Sequence, residues 1–127
     1  MKKRFLTLFI LLIIFLSACG HNTWVLEKDR LSEVGGVANY VEQLQNNQSD
    51  FRGFRVFTIS EGKKMVVVST GSSDQILSFT GADVSNNTTI TVEEENKQSD
   101  EENSYILIGI DKIEGELSVV GESGEEY

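Results

Sequence analysis

Few side chains in this chain of 127 residues are suited to chemistry. There is one histidine, His21, and one cysteine, Cys19. A hydrolase built from a nucleophile, an imidazole base and an orienting acid would have to use His21, only two residues from the sole thiol, and no cluster of thiolates or imidazoles exists for zinc. Ser69 with Lys63 or Lys64 satisfies the composition of a nucleophile and its base. All three lie in segments that read as strands and turns, where exposed serines and lysines are ordinary. Carboxylates are abundant in Glu93, Glu94, Glu95, Glu101 and Glu102. Sugar hydrolysis needs one protonated acid in an apolar setting beside an ionised partner, and a solvated acid run supplies the opposite. The same acids suit calcium better, yet their spacing lacks the alternation and central glycine of an EF-hand loop. "STGSSD" and "FTGAD" lack the lysine and the following helix of a phosphate cradle and read as turns. The expectation is no catalytic residue, no metal site and no cofactor.

Cys19 has a different use. Lys2, Lys3 and Arg4 precede an apolar run from Phe5 to Leu16 in which Thr7 alone is polar, the layout of a secretory signal peptide. As a helix that run would be about 18 Å long, short of the roughly 30 Å hydrocarbon core. Leu16, Ser17, Ala18 and Cys19 then resemble the lipobox of bacterial lipoproteins. The resemblance implies a diacylglyceryl group on the Cys19 sulfur, removal of residues 1–18 and Cys19 as the first mature residue. Two acyl chains, at about 0.8 kcal/mol per buried methylene, hold a protein firmly to a bilayer. The implied location is the extracytoplasmic face of a bacterial cell membrane, or an outer membrane if the host is Gram-negative. Residues 19–23 would form a lipidated tether, 24–121 a single domain and 122–127 a frayed acidic tail. With its cysteine lipidated, such a chain has no disulfide and depends on packing.

The mature chain would hold eight bases against twenty acids, a net of −12. Twelve of the acids fall after Val92, against Lys97 and Lys112 alone. No basic footprint is left for nucleic acid, and the acidic last third reads as a solvated face kept off an anionic bilayer. The bases Arg52, Arg55, Lys63 and Lys64 flank one expected hairpin. They read either as a balanced surface or as a candidate docking patch.

These residues need elements to position them. Val34, Val37, Val41 and Leu44 recur at helical spacing with Tyr40 beside them, Ser32 is a candidate cap, and Gly35 and Gly36 mark the start. Beyond the polar stop "QNNQSD" the period becomes two. "GFRVFTIS" and "MVVVST" form a hairpin around "SEGK", and "QILSFTG", "NTTITVEEE", "SYILIGID" and "ELSVV" follow at strand spacing. The expected fold is α+β: one N-terminal amphipathic helix on a small antiparallel sheet, or partly closed barrel, of about six strands. "NKQSDEEN" reads as an exposed, mobile loop.

The order of pieces from "KKMVVVSTGSSDQILSFTGADVSNNTTITVEEEN" to "SYILIGID" resembles the small domain of the PrcB family of protease-complex subunits. The corresponding strands are Met65 to Thr70, Ile76 to Phe79, Thr88 to Glu93 and Tyr105 to Ile110, about half of the mature chain. Where that family opens its second strand on a Gly-Gly-Tyr-like element, this chain has Asp74, Gln75 and Ile76. The resemblance implies a binding module and no inherited catalytic residue. The expected function is thus a lipid-anchored, non-catalytic binding or regulatory module for a protein partner at the membrane surface. The alternative is a membrane-tethered small-ligand carrier or an enzyme using carboxylates alone.

Overall fold

"MVVVST" and "YILIGI" are apolar on both sides of the pleat, and a strand of that kind must be covered on both faces. They lie in the two central strands of a four-stranded sheet. The computed structural model describes residues 23–60 and 62–127. The expected signal peptide, Leu16, Ser17, Ala18, Cys19 and His21 lie outside them.

The first sheet contains β1 (Thr23–Val25), β2 (Arg52–Ser60), β3 (Lys63–Thr70) and β6 (Tyr105–Ile110), in the order β1-β6-β3-β2 and antiparallel throughout. The second contains β4 (Gln75–Val84), β5 (Thr88–Asn96) and β7 (Leu117–Gly121), in the order β4-β5-β7. Alternation along β3 and β6 serves two cores. Val66, Val68, Ile106, Ile108 and Ile110 pack against Leu77, Ile90, Val92 and Val119 of the second sheet. Met65, Val67, Tyr105 and Leu107 pack against Val37, Tyr40, Val41 and Leu44 of the helix α1 (Gly35–Asn46). The layers are therefore helix, four-stranded sheet and three-stranded sheet. Each fully buried Val, Leu or Ile contributes about 1.5–3 kcal/mol of transfer free energy, so the twice-covered strands hold the layers together.

The α+β class and the single helix over residues 35–46 are as expected, and the hairpin forms with Ser60 opposite Lys63 and Gly62 in the left-handed region at φ +75°. Four features differ. Among the described residues the strands number seven and divide into two stacked sheets, with no closed barrel, because the doubly apolar β3 and β6 need cover on each side. One pair, β5 with β7, is parallel: the chain leaves the second sheet after β5, crosses to the first as β6 and returns in the same direction. The cap position of the helix is Val34, without a side-chain hydrogen bond, and the expected cap position Ser32 falls within a 3-10 helix, Lys28–Glu33. Nor is the tail frayed. Gly121 N–H donates to Glu125 O, Tyr127 N–H donates to Val119 O, and Val120 bridges Glu126.

Candidate interaction surface

Strand register sets two ends of the molecule. Thr23 and Lys64 both pair with Ile110, and Lys63 pairs with Ser60 beside them. With strands about 4.8 Å apart, Thr23 is roughly 10 Å from Lys64 across β6. The chain therefore enters the domain next to the β2–β3 turn. At the far end Arg52 pairs with Thr70, and Gln75 with Asn96. Nine residues of β2, at about 3.3 Å each, put Arg52 some 26 Å from Ser60.

The four bases do not form one patch. Lys63 and Lys64 stay together at the entry end, where Lys64 Nζ donates to Thr58 Oγ1 at 2.7 Å. Arg55 lies halfway along β2, its guanidinium carbon 5.1 Å from the Tyr40 ring centre and 5.0 Å from that of Phe57. Arg52 is at the far end, bound to Glu94 Oε1 at 2.5 Å and stacked 4.1 Å over the Tyr127 ring. Burial opposes the Arg52 cation, but Glu94 and Tyr127 outweigh that penalty and raise its pKa. The Tyr127 hydroxyl donates to the same Glu94 oxygen. Burial, then Glu94, push its pKa well above the ordinary tyrosine value, with Arg52 opposing. Local patterning could not show this cluster, since its members come from β2, β5 and the tail.

The Ser69 and lysine pairing is ruled out by distance. Ser69 is fully buried and its hydroxyl donates to Phe51 O at 3.0 Å, while Lys64 lies five residues away along the same strand, about 16 Å. The acids also separate. Glu93 and Glu95 are exposed, Glu94 faces Arg52, and Glu101 pairs with Lys28. Among the described residues no group of three His, Cys, Asp or Glu side chains could hold a metal ion.

The "NKQSDEEN" segment is an exposed loop over most of its length, as expected, but its last residue ties it into the far end. Asn103 is fully buried: its side-chain NH2 donates to Gln48 O and Phe51 O, and its side-chain oxygen accepts from Gly71 N–H at 2.8 Å. Its backbone exchanges hydrogen bonds with the Gln45 amide. One side chain thereby joins the helix end, the start of β2 and the turn after β3. Nothing in the local pattern singles it out, because it is one amide in a polar run.

Buried apolar side chains of the two sheets meet in one core, and the surface carries open depressions. One, of about 270 Å3, is bordered by Phe54, Leu117, Val119, Glu126 and Tyr127 beside β2. Another, of about 380 Å3, lies on the polar face of α1. No helix among the described residues is long and apolar enough to cross a membrane.

No protein-family model matches the chain, and no solved structure matches it. It is 44% identical to "Uncharacterized protein YycS" of Bacillus subtilis (strain 168) over 132 aligned positions, which take in all of this chain and 95% of that protein. Identity of that degree along both full lengths means that the chain belongs to the YycS family.

Proposed function

We propose that this protein is a lipoprotein, anchored through a diacylglyceryl group on Cys19 at the extracytoplasmic face of the cell membrane, where it serves as a non-catalytic binding or regulatory module for a protein partner. The observation that carries the reading is the closeness of Leu16-Ser17-Ala18-Cys19 to the first strand, which begins at Thr23. A signal cut before Cys19 leaves the fold intact and leaves the lipid within about 14 Å of it. The core of buried apolar side chains favours a module that binds on its surface over a small-ligand carrier. The likeness to the PrcB-type domain points to the same kind of module.

Metabolic labelling with palmitate is the test. The wild-type chain takes up label, and Cys19→Ser remains an unlabelled precursor that retains residues 1–18. Equal labelling of both, or of neither, overturns the anchor.

A further inference from the structure

Exposed sheet edges invite pairing with other chains, and folded proteins blunt them. Three of the four edges here are blunted. β1 has only three residues. β4 is broken by an extra residue at Thr80, between the pairs Phe79 with Val92 and Gly81 with Thr91, and is left with regular runs of five and four residues. β7 is closed by the tail, which returns along it through Glu126 and Tyr127. β2 is different. It pairs with β3 in unbroken register from Arg52 to Thr58, and among the described residues no element covers its other side. Alternate backbone N–H and C=O groups over about seven residues point outward from that side.

The side chains along this edge also differ from the rest of the surface. In a chain with twenty acids and eleven bases, β2 holds two arginines and no acid. Arg55 is exposed, rests on the rings of Tyr40 and Phe57, and pairs with no carboxylate among the described residues. Val56 is 37% exposed on the opposite face of the strand, and Phe51, just before it, is 40% exposed. An arginine held on aromatic rings beside an exposed apolar side chain is the composition of an interface centre.

We propose that the free edge of β2 is the partner-binding surface of this protein, and that it takes up an extended segment of another protein, acidic residues alternating with apolar ones, as a fifth strand of the first sheet. The inference rests on the reading above that the chain is a binding module for a protein partner. Main-chain hydrogen bonds supply affinity in this mode, and alternate side chains supply specificity. On the helix side, acidic residues of the added strand reach Arg55; on the other side, apolar residues cover Val56. The protein's own tail shows the same chemistry at the end of the strand, where an acidic segment ending in Tyr127 lays its ring under Arg52. A second copy is disfavoured as the occupant. The β2 strand of a second copy holds two arginines and no acid, so it offers Arg55 no carboxylate.

The probe is a nine-residue peptide, acetyl-Glu-Val-Glu-Val-Tyr-Val-Glu-Val-Glu-amide, added to the full chain as its cells process it, extracted in a mild nonionic detergent. Hydrogen exchange read by mass spectrometry is expected to slow in residues 52–60 and to stay unchanged in β4. A peptide with lysine for every glutamate, a peptide N-methylated at alternate amides, and the protein variant Arg55→Glu are each expected to weaken binding by about tenfold or more. Absence of binding, protection elsewhere, or equal binding by the lysine or N-methylated peptide overturns the proposal. So does a concentration-dependent dimer whose β2 is protected without peptide. Palmitate labelling reads the anchor separately. Protection of β2 in a chain that takes no label leaves the strand edge standing without the lipid, and label without protection leaves the lipid standing without the edge.

Discussion

The indole of Trp24 lies on the backbone of Gly109, its cross-strand partner in β6, so closely that a Cβ on Gly109 would fall 2.0 Å from Trp24 Cε2. Glycine is required there for close approach, since the backbone is not in the left-handed region. The contact fastens a three-residue edge strand that would otherwise hold by few hydrogen bonds, and that strand is where the chain enters the domain. Gly109→Ala is expected to expel the indole and cost about 3 kcal/mol. Trp24 is the sole tryptophan, so its emission reports the loss directly by shifting to the red. Trp24→Ala in the same chain should recover part of the stability that Gly109→Ala removes, because the clash disappears with the ring.

Asn103 predicts a second loss at the opposite end. Asn103→Ala removes three hydrogen bonds and leaves the N–H of Gly71 without its partner, while the carbonyls of Gln48 and Phe51 keep those from Phe51 N–H and the Ser69 hydroxyl. At about 1 kcal/mol for each hydrogen bond, with more for a buried group left unpaired, the expected cost is about 3 kcal/mol. Asn103→Asp, although nearly isosteric, should be no better, since it turns an oxygen toward two carbonyls. Denaturant unfolding of the two variants checks both statements.

Tyr127 makes stability fall at alkaline pH. An unfolded tyrosine loses its proton near pH 10, and in the fold Tyr127 keeps it to higher pH because burial and Glu94 disfavour the phenolate. Its contribution is thus complete below about pH 10 and drains away as pH rises toward the folded value. Tyr127→Phe keeps the ring under Arg52 but loses the hydrogen bond to Glu94. It is expected to cost about 1 kcal/mol at neutral pH and to flatten the alkaline slope in part. Part of the slope should remain, because burial also raises the pKa of Tyr40 and Tyr105. Denaturant midpoints measured on both sides of pH 10 provide the check.

Tether length provides a fourth prediction, which rests on the proposed anchor. A flexible insertion of about twenty residues after Gly20 adds an r.m.s. reach of roughly 25 Å without touching β1. If the partner is held at the membrane, the insertion should impair function in cells while leaving the thermal midpoint unchanged. Full function from the long-tethered chain would mean that the lipid only retains the protein.

The sequence by itself determined the elements whose signal is periodic over several residues. Val37, Tyr40, Val41 and Leu44 recur on one helical face, and that face is the one buried against the first sheet. The strands at "MVVVST", "SYILIGID" and their neighbours were legible in the same way, as was the glycine turn between β2 and β3. Their type depends on side chains close together in the chain, and a single sequence displays those directly.

Only the tertiary structure decided how the strands divide between two sheets, and therefore which edge stays open. The parallel pairing of β5 with β7 depends on where β6 goes in between, and no local pattern records that path. The same limit applies to the basic residues. Arg52, Arg55, Lys63 and Lys64 are close in sequence, yet a strand rises about 3.3 Å per residue and carries Arg52 away from the lysines to Glu94 and Tyr127. Asn103 and Tyr127 looked like parts of a mobile loop and a loose tail because their partners are far away along the chain. A polar residue in a polar run becomes a fastening only when packing brings carbonyls and N–H groups to it, and that is a property of the assembled layers.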